Sequence, residues 1–167
     1  DLVRSRGLGD VYKRQLMKSG RGFTIVTDTN MALAGVNKAA LKQLNGTVRC
    51  FMADPDVAAE AKERGVTRAI VSMERAATLA GPVIFAIGNA PTALIRLYEM
   101  MQKGEIHPDF IIGTPVGFVN VVESKELICQ SSVPCIVARG RKGGSNIAAA
   151  VCNALMYQVT RTQKSGK

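Results

Sequence analysis

The sequence predicts a doubly wound α/β domain in three layers, built on a mainly parallel sheet of five strands. Three observations lead there. Short β-branched, apolar runs alternate with longer segments of helical period from Phe23 onward. The short runs are continuously apolar, as in parallel strands covered on both faces. Each longer segment carries an apolar stripe along one side only.

The strand candidates are FTIVT (23–27), TVRCFMA (47–53), PVIFAI (82–87), DFIIG (109–113) and PCIVA (134–138). Between them, Ile70, Met73, Ala77 and Ala80 form a stripe over 68–80. Leu94, Leu97, Tyr98 and Met101 do so over 92–103, and Ile147, Val151, Ala154, Leu155 and Val159 over 144–161. Strand and helix repeated in this way give an open parallel sheet with right-handed crossovers and helices on both faces, a flavodoxin-like arrangement. Residues 16–161 are expected to form this one domain, with 162–167 as a polar, frayed tail. Residues 1–15 carry no periodic apolar pattern and read as a foreign or disordered segment preceding it.

A net charge of +9, from 22 basic and 13 acidic residues, favours a polyanionic partner. Nucleic acid is disfavoured: there is no Trp, only 5% of residues are aromatic, and the cations are not gathered on one element. The four cysteines, Cys50, Cys129, Cys135 and Cys152, form no C-x-x-C pair and read as free thiols of a cytoplasmic protein. No metal site is expected from them. No apolar run approaches the ~20 residues needed to cross a bilayer, so no membrane partner is expected.

In a doubly wound sheet, ligands bind beyond the carboxyl ends of the strands. After the first strand, Asp28 or Thr29 can cap the next turn, or Asp28 can accept a hydrogen bond from a ligand. After the third comes GNAPT: Gly88 permits close approach, Pro91 suits a first helical turn, and the free N–H groups there can hold an anion. After the fourth, GTPVGFV (113–119) makes a shaped wall. It is followed by Glu123, Ser124 and Lys125, where Lys125 can pair with a ligand carboxylate or with a surface acid such as Glu123. After the fifth, RGRKGGS (139–145) places cations and glycines at a helix start, an anion site by simple electrostatics. It has neither the P-loop nor the dinucleotide spacing, which disfavours a nucleotide triphosphate or NAD, and a polycarboxylate fits at least as well. The single histidine, His107, lies at the amino end of the fourth strand, away from this cleft.

At these turns the sequence resembles the precorrin-8X methylmutase family. The shared strings are TDTNMALAG (27–35), TRAIVSM (67–73), AIGNAPTAL (86–94), PVGFVNVVESKE (115–126) and GRKGGSNIAAAVCNAL (140–155), together spanning roughly residues 20–158. The resemblance implies a flavodoxin-like subunit of a homodimer, with no organic cofactor and no protein-bound metal. It also implies a macrocyclic, carboxylate-rich substrate whose methyl group migrates from ring carbon 11 to ring carbon 12. The substrate-binding residues it implies are Asp28, Arg68, Gly88, Asn89, Thr92, Val116, Gly117, Phe118, Ser124, Lys125, Arg141, Lys142, Gly143, Gly144 and Ser145. Among these, Lys125, Arg141, Lys142 and the N–H groups of Gly143, Gly144 and Ser145 are expected to meet carboxylates. Gly88, Gly117 and Phe118 are expected to let the ring lie against the chain.

One departure bears on turnover. In the family a histidine in an Arg-x-Ile-His-type string, upstream of the first strand, is the general acid. No such string is present in these 167 residues, so the sequence is read as amino-terminally truncated. No catalytic residue is therefore assigned. Loss of an acid that protonates the ring should slow the reaction by orders of magnitude.

Overall fold

The computed structural model describes residues 3–5 and 20–164. Apart from Val3–Ser5, the segment 1–15 lies outside the described residues, as do 165–167. The strands are β1 (Val3–Ser5), β2 (Phe23–Thr27), β3 (Gly46–Arg49), β4 (Val83–Ile87), β5 (Phe110–Gly113) and β6 (Cys135–Ala138). The helices are α1 (Asn30–Gly35), α2 (Lys38–Gln43), α3 (Pro55–Arg64), α4 (Arg68–Ala76), α5 (Pro91–Gln102), α6 (Val121–Gln130) and α7 (Ser145–Lys164).

The sheet order is β1-β6-β5-β4-β2-β3. All five expected strands run parallel, and β1 adds an antiparallel edge with Val3 opposite Ala138. Counting only the parallel strands, the order is the 2-1-3-4-5 of flavodoxin-like folds, so the chain reverses direction of growth between β2 and β4. β1 was not expected, because three residues are too few to show an alternation.

The pleat divides the core into two layers. Val26, Phe85, Ile87, Ile111 and Val137 point to the face covered by α3, α4, α5 and α6. Ile25, Ile84, Ala86, Ile112 and Ile136 point to the face covered by α2 and α7. Phe85, Ile111 and Leu97 have no exposed surface, and each such side chain contributes about 1.5–3 kcal/mol.

Local chemistry sets the helix starts. Thr29 accepts from the Ala32 N–H at 3.1 Å and caps α1, while Asn37 accepts from Ala40 at 2.9 Å and caps α2. Pro55 and Pro91 occupy first turns, and Gly65, at φ 64°, ends α3. Two expectations shift. The second strand stops at Arg49 because it is the sheet edge, and Phe51 turns back into the core ahead of Pro55. The buried stripe of α7 is Ala148, Cys152, Leu155, Met156 and Val159, leaving Ile147 39% exposed and Ala154 on the outside. This helix also runs on to Lys164, into the stretch read as a frayed tail.

Candidate functional site

The site lies at the carboxyl edge of the sheet, where β2 and β4 part. Asp28 follows β2 and has no exposed surface. Its carboxylate accepts from the backbone N–H groups of Gly88 at 2.8 Å, Asn89 at 2.7 Å and Ala90 at 2.6 Å. The anion position ahead of α5 is therefore filled by the chain itself. The N–H groups expected to hold a ligand there are already satisfied, and Asp28 braces the turn. Burial pushes its carboxyl above the usual range against the pull of those three donors. The capping role falls to Thr29, whose hydroxyl also donates to the Ser145 hydroxyl at 2.7 Å and so ties α1 to α7.

The glycine after β4 serves the same closure. A Cβ on Gly88 would lie 2.5 Å from Ser145 Cα and 2.9 Å from the Gly144 carbonyl oxygen. The close approach it permits is to the chain's own backbone. Asn89 remains exposed beside it. Thr92, on the first turn of α5, faces Thr67 with hydroxyls 3.4 Å apart, which sets Arg68 on the same rim. Arg68 is exposed and has no carboxylate partner among the described residues.

The loops after β5 and β6 are stitched together. Gly144 donates to the Thr114 carbonyl at 2.8 Å, Gly117 donates to the Arg141 carbonyl at 3.3 Å, and buried Thr114 donates its own N–H back to Ile87. Gly117, at φ 139°, needs its missing Cβ to make this turn. The result projects apolar side chains outward: Phe118 is 82% exposed, Val119 77% and Val116 46%. The Arg141 guanidinium sits 5.7 Å from the Phe118 ring centre. A cavity of about 720 Å³ opens beside them, lined among the described residues by 138–143 and Ile147.

Two residues implied as ligand contacts lie behind this surface. Ser124 is buried and bonds the Val121 carbonyl at 3.0 Å. Lys125 is buried too, and its ammonium donates to the carbonyls of Gly140 at 2.7 Å and Lys142 at 2.9 Å. It does not pair with Glu123, and burial holds its ammonium below the ordinary lysine range. The spacing could have shown this, since Val121, Ser124, Lys125, Ile128 and Cys129 form one helical stripe. Gly144 is also excluded as a donor by its bond to Thr114. Sequence reasoning missed Met31 (69% exposed) and Ile147, apolar residues exposed near the starts of α1 and α7.

The charges sort by location. Arg64, Arg75 and Arg96 are bound into a network with Glu60, Glu74, Asp56 and Glu99 over α3, α4 and α5. Arg139 pairs with Glu126 at 2.7 Å. Arg68, Arg141 and Lys142 have no such partner among the described residues, so their charge is available at the rim. His107 is exposed in the loop before β5, at the other end of the sheet. Cys129, Cys135 and Cys152 are buried, and burial pushes the Cys152 thiol up to about 12, which makes it packing material. Among the described residues, no three His, Cys, Asp or Glu side chains are placed to hold a metal ion. No described helix is long and apolar enough to cross a membrane.

The family model for precorrin-8X methylmutase matches residues 9–158. The chain belongs to the precorrin-8X methylmutase family. Its match to the cobalt-precorrin-8 methylmutase of Priestia megaterium is 45% identical over 134 residues, covering 80% of this chain and 60% of that protein. With the precorrin-8X methylmutase of Pseudomonas aeruginosa it is 42% identical over 158 residues, 93% of this chain and 74% of that one. The crystal structure of the precorrin-8X methylmutase from Thermus thermophilus superposes with a TM-score of 0.84 at 32% identity, over 96% of this chain and 78% of that chain. The chain thus spans about three fifths of the Priestia relative's length. The methylmutase match begins at residue 9, inside the segment the sequence set apart.

Proposed function

We propose that this chain binds precorrin-8X, or its cobalt-containing counterpart, and serves the migration of a methyl group from ring carbon 11 to ring carbon 12. The product is hydrogenobyrinic or cobyrinic acid. The observation that carries the reading is the rim itself: exposed Phe118, Val119, Val116 and Ile147 set beside Arg141 and Lys142, whose charges have no acidic partner among the described residues. A flat ring edged with carboxylates needs that combination of apolar wall and free cations. The migration is an isomerisation and draws on no electron or group donor, so the reading includes no organic cofactor. We further read the protein as a cytoplasmic homodimer that does not bind nucleic acid.

A second reading, corrinoid binding without turnover, is favoured by the position of His107, exposed at the far end of the sheet. A phosphate at the start of α5 is disfavoured, because Asp28 occupies the N–H groups there.

Titration with hydrogenobyrinic acid, followed by visible absorption at two salt concentrations, tests the proposal. Saturable binding that weakens with salt is expected. Replacing both Arg141 and Lys142 by alanine should weaken it by about 10–100-fold. Binding indifferent to salt and to that pair, or none, would count against the reading. Phe118→Ala should weaken binding by about tenfold at an unchanged melting temperature, since an 82% exposed ring contributes little to folding. A matching fall in melting temperature would show the ring to be structural.

A further inference from the structure

A buried ammonium is costly unless charge or carbonyl dipoles surround it. Lys125 has two carbonyls, those of Gly140 and Lys142, and no carboxylate among the described residues. Its effect is transmitted through peptide geometry. In a trans peptide the carbonyl and the following N–H point in opposite directions, and no described peptide is cis. With the Gly140 and Lys142 carbonyls turned toward Lys125, the N–H groups of Arg141 and Gly143 point away from it. Neither N–H has an acceptor among the described residues. Arg141 and Gly143 both line the 720 Å³ cavity, and Lys125 does not.

We propose that the N–H groups of Arg141 and Gly143 form a subsite for one ligand carboxylate, and that Lys125 is the positioning residue that builds and polarises it from behind. Two N–H groups on the cavity side of one loop, neither taken by a described acceptor, can serve one anion. The cation behind them strengthens both donors, because hydrogen-bonded chains polarise one another where water is excluded. The unbalanced charge of Lys125 thereby gains a counterion across the loop when the ligand binds. The identity of that ligand rests on the corrinoid reading above.

The test compares hydrogenobyrinic acid with its fully methylated ester on the full chain, by amide NMR and by absorption titration. With the wild-type chain, the acid should shift the Arg141 and Gly143 amide protons downfield and the ester should not. Lys125→Met should weaken the acid by about tenfold and leave the ester unchanged; Lys125→Arg should hold the acid within a few-fold of wild type. If Lys125→Met fails to fold, the wild-type amides decide alone. Acid binding that leaves both amides unmoved overturns the subsite while the corrinoid reading stands. Equal weakening of acid and ester by Lys125→Met reduces Lys125 to structural support and overturns its positioning role. Failure of the wild-type chain to bind either compound overturns the corrinoid reading and the subsite together.

Discussion

Replacing Asp28 by alanine should lower the free energy of unfolding by about 3–5 kcal/mol, read from urea titration. The carboxylate accepts three backbone N–H groups across the gap between β2 and α5. Removing it leaves those donors unsatisfied around a side chain that has no exposed surface. Each orphaned donor costs on the order of 1–3 kcal/mol, and a water entering the space recovers part of it. Asp28→Asn should be milder, about 1–2 kcal/mol: its amide oxygen still accepts, while its NH2 opposes another donor. If both substitutions prove neutral, the brace is not what closes the switch point. Binding of inorganic phosphate by the alanine variant would show that Asp28 also keeps that anion position filled.

Most of the fold is legible in the residues because four of the five parallel strands are buried on both faces. Burial leaves unbroken apolar runs such as FTIVT and PVIFAI, and turns such as GNAPT mark their ends. Legibility fails where burial is partial. The edge strand β3 alternates between half-buried and exposed residues, so its end at Arg49 is hidden within an apolar run that continues to Phe51. β1 is too short to have a pattern. In the site, the sequence locates the turns but not the direction of their polar groups. Asp28, Ser124 and Lys125 look like ligand contacts because polar residues beside a cleft usually face it. Here they face inward: Asp28 and Lys125 satisfy backbone groups of the loops that shape the cleft, and Ser124 bonds the Val121 carbonyl of its own helix. For Lys125 the helical spacing carried that information. For Asp28 it was not available, since the partners lie sixty residues away across the sheet.

The second large effect is expected at Gly143. A Cβ there would stand 2.0 Å from the Thr114 carbonyl oxygen and 2.9 Å from that of Pro115. Both are backbone atoms of a buried turn, so no side-chain rotation relieves the clash. Gly143→Ala must push the 139–145 loop away from 114–117. The Gly144 to Thr114 bond then opens, and the Lys142 carbonyl moves off the buried Lys125 ammonium. Overpacking and a less well solvated buried cation together should cost about 3 kcal/mol or more, and corrinoid binding should be lost even where the chain still folds. Gly140→Ala is the matched control. Its Cβ would meet open space, so only the strain of φ +80° applies, about 1–2 kcal/mol of stability. Equal effects of the two substitutions would mean that loop flexibility, and not the close seating of one loop on the other, governs the site. A large effect confined to Gly143 would tie ligand affinity to the seating of the 139–145 loop on 114–117.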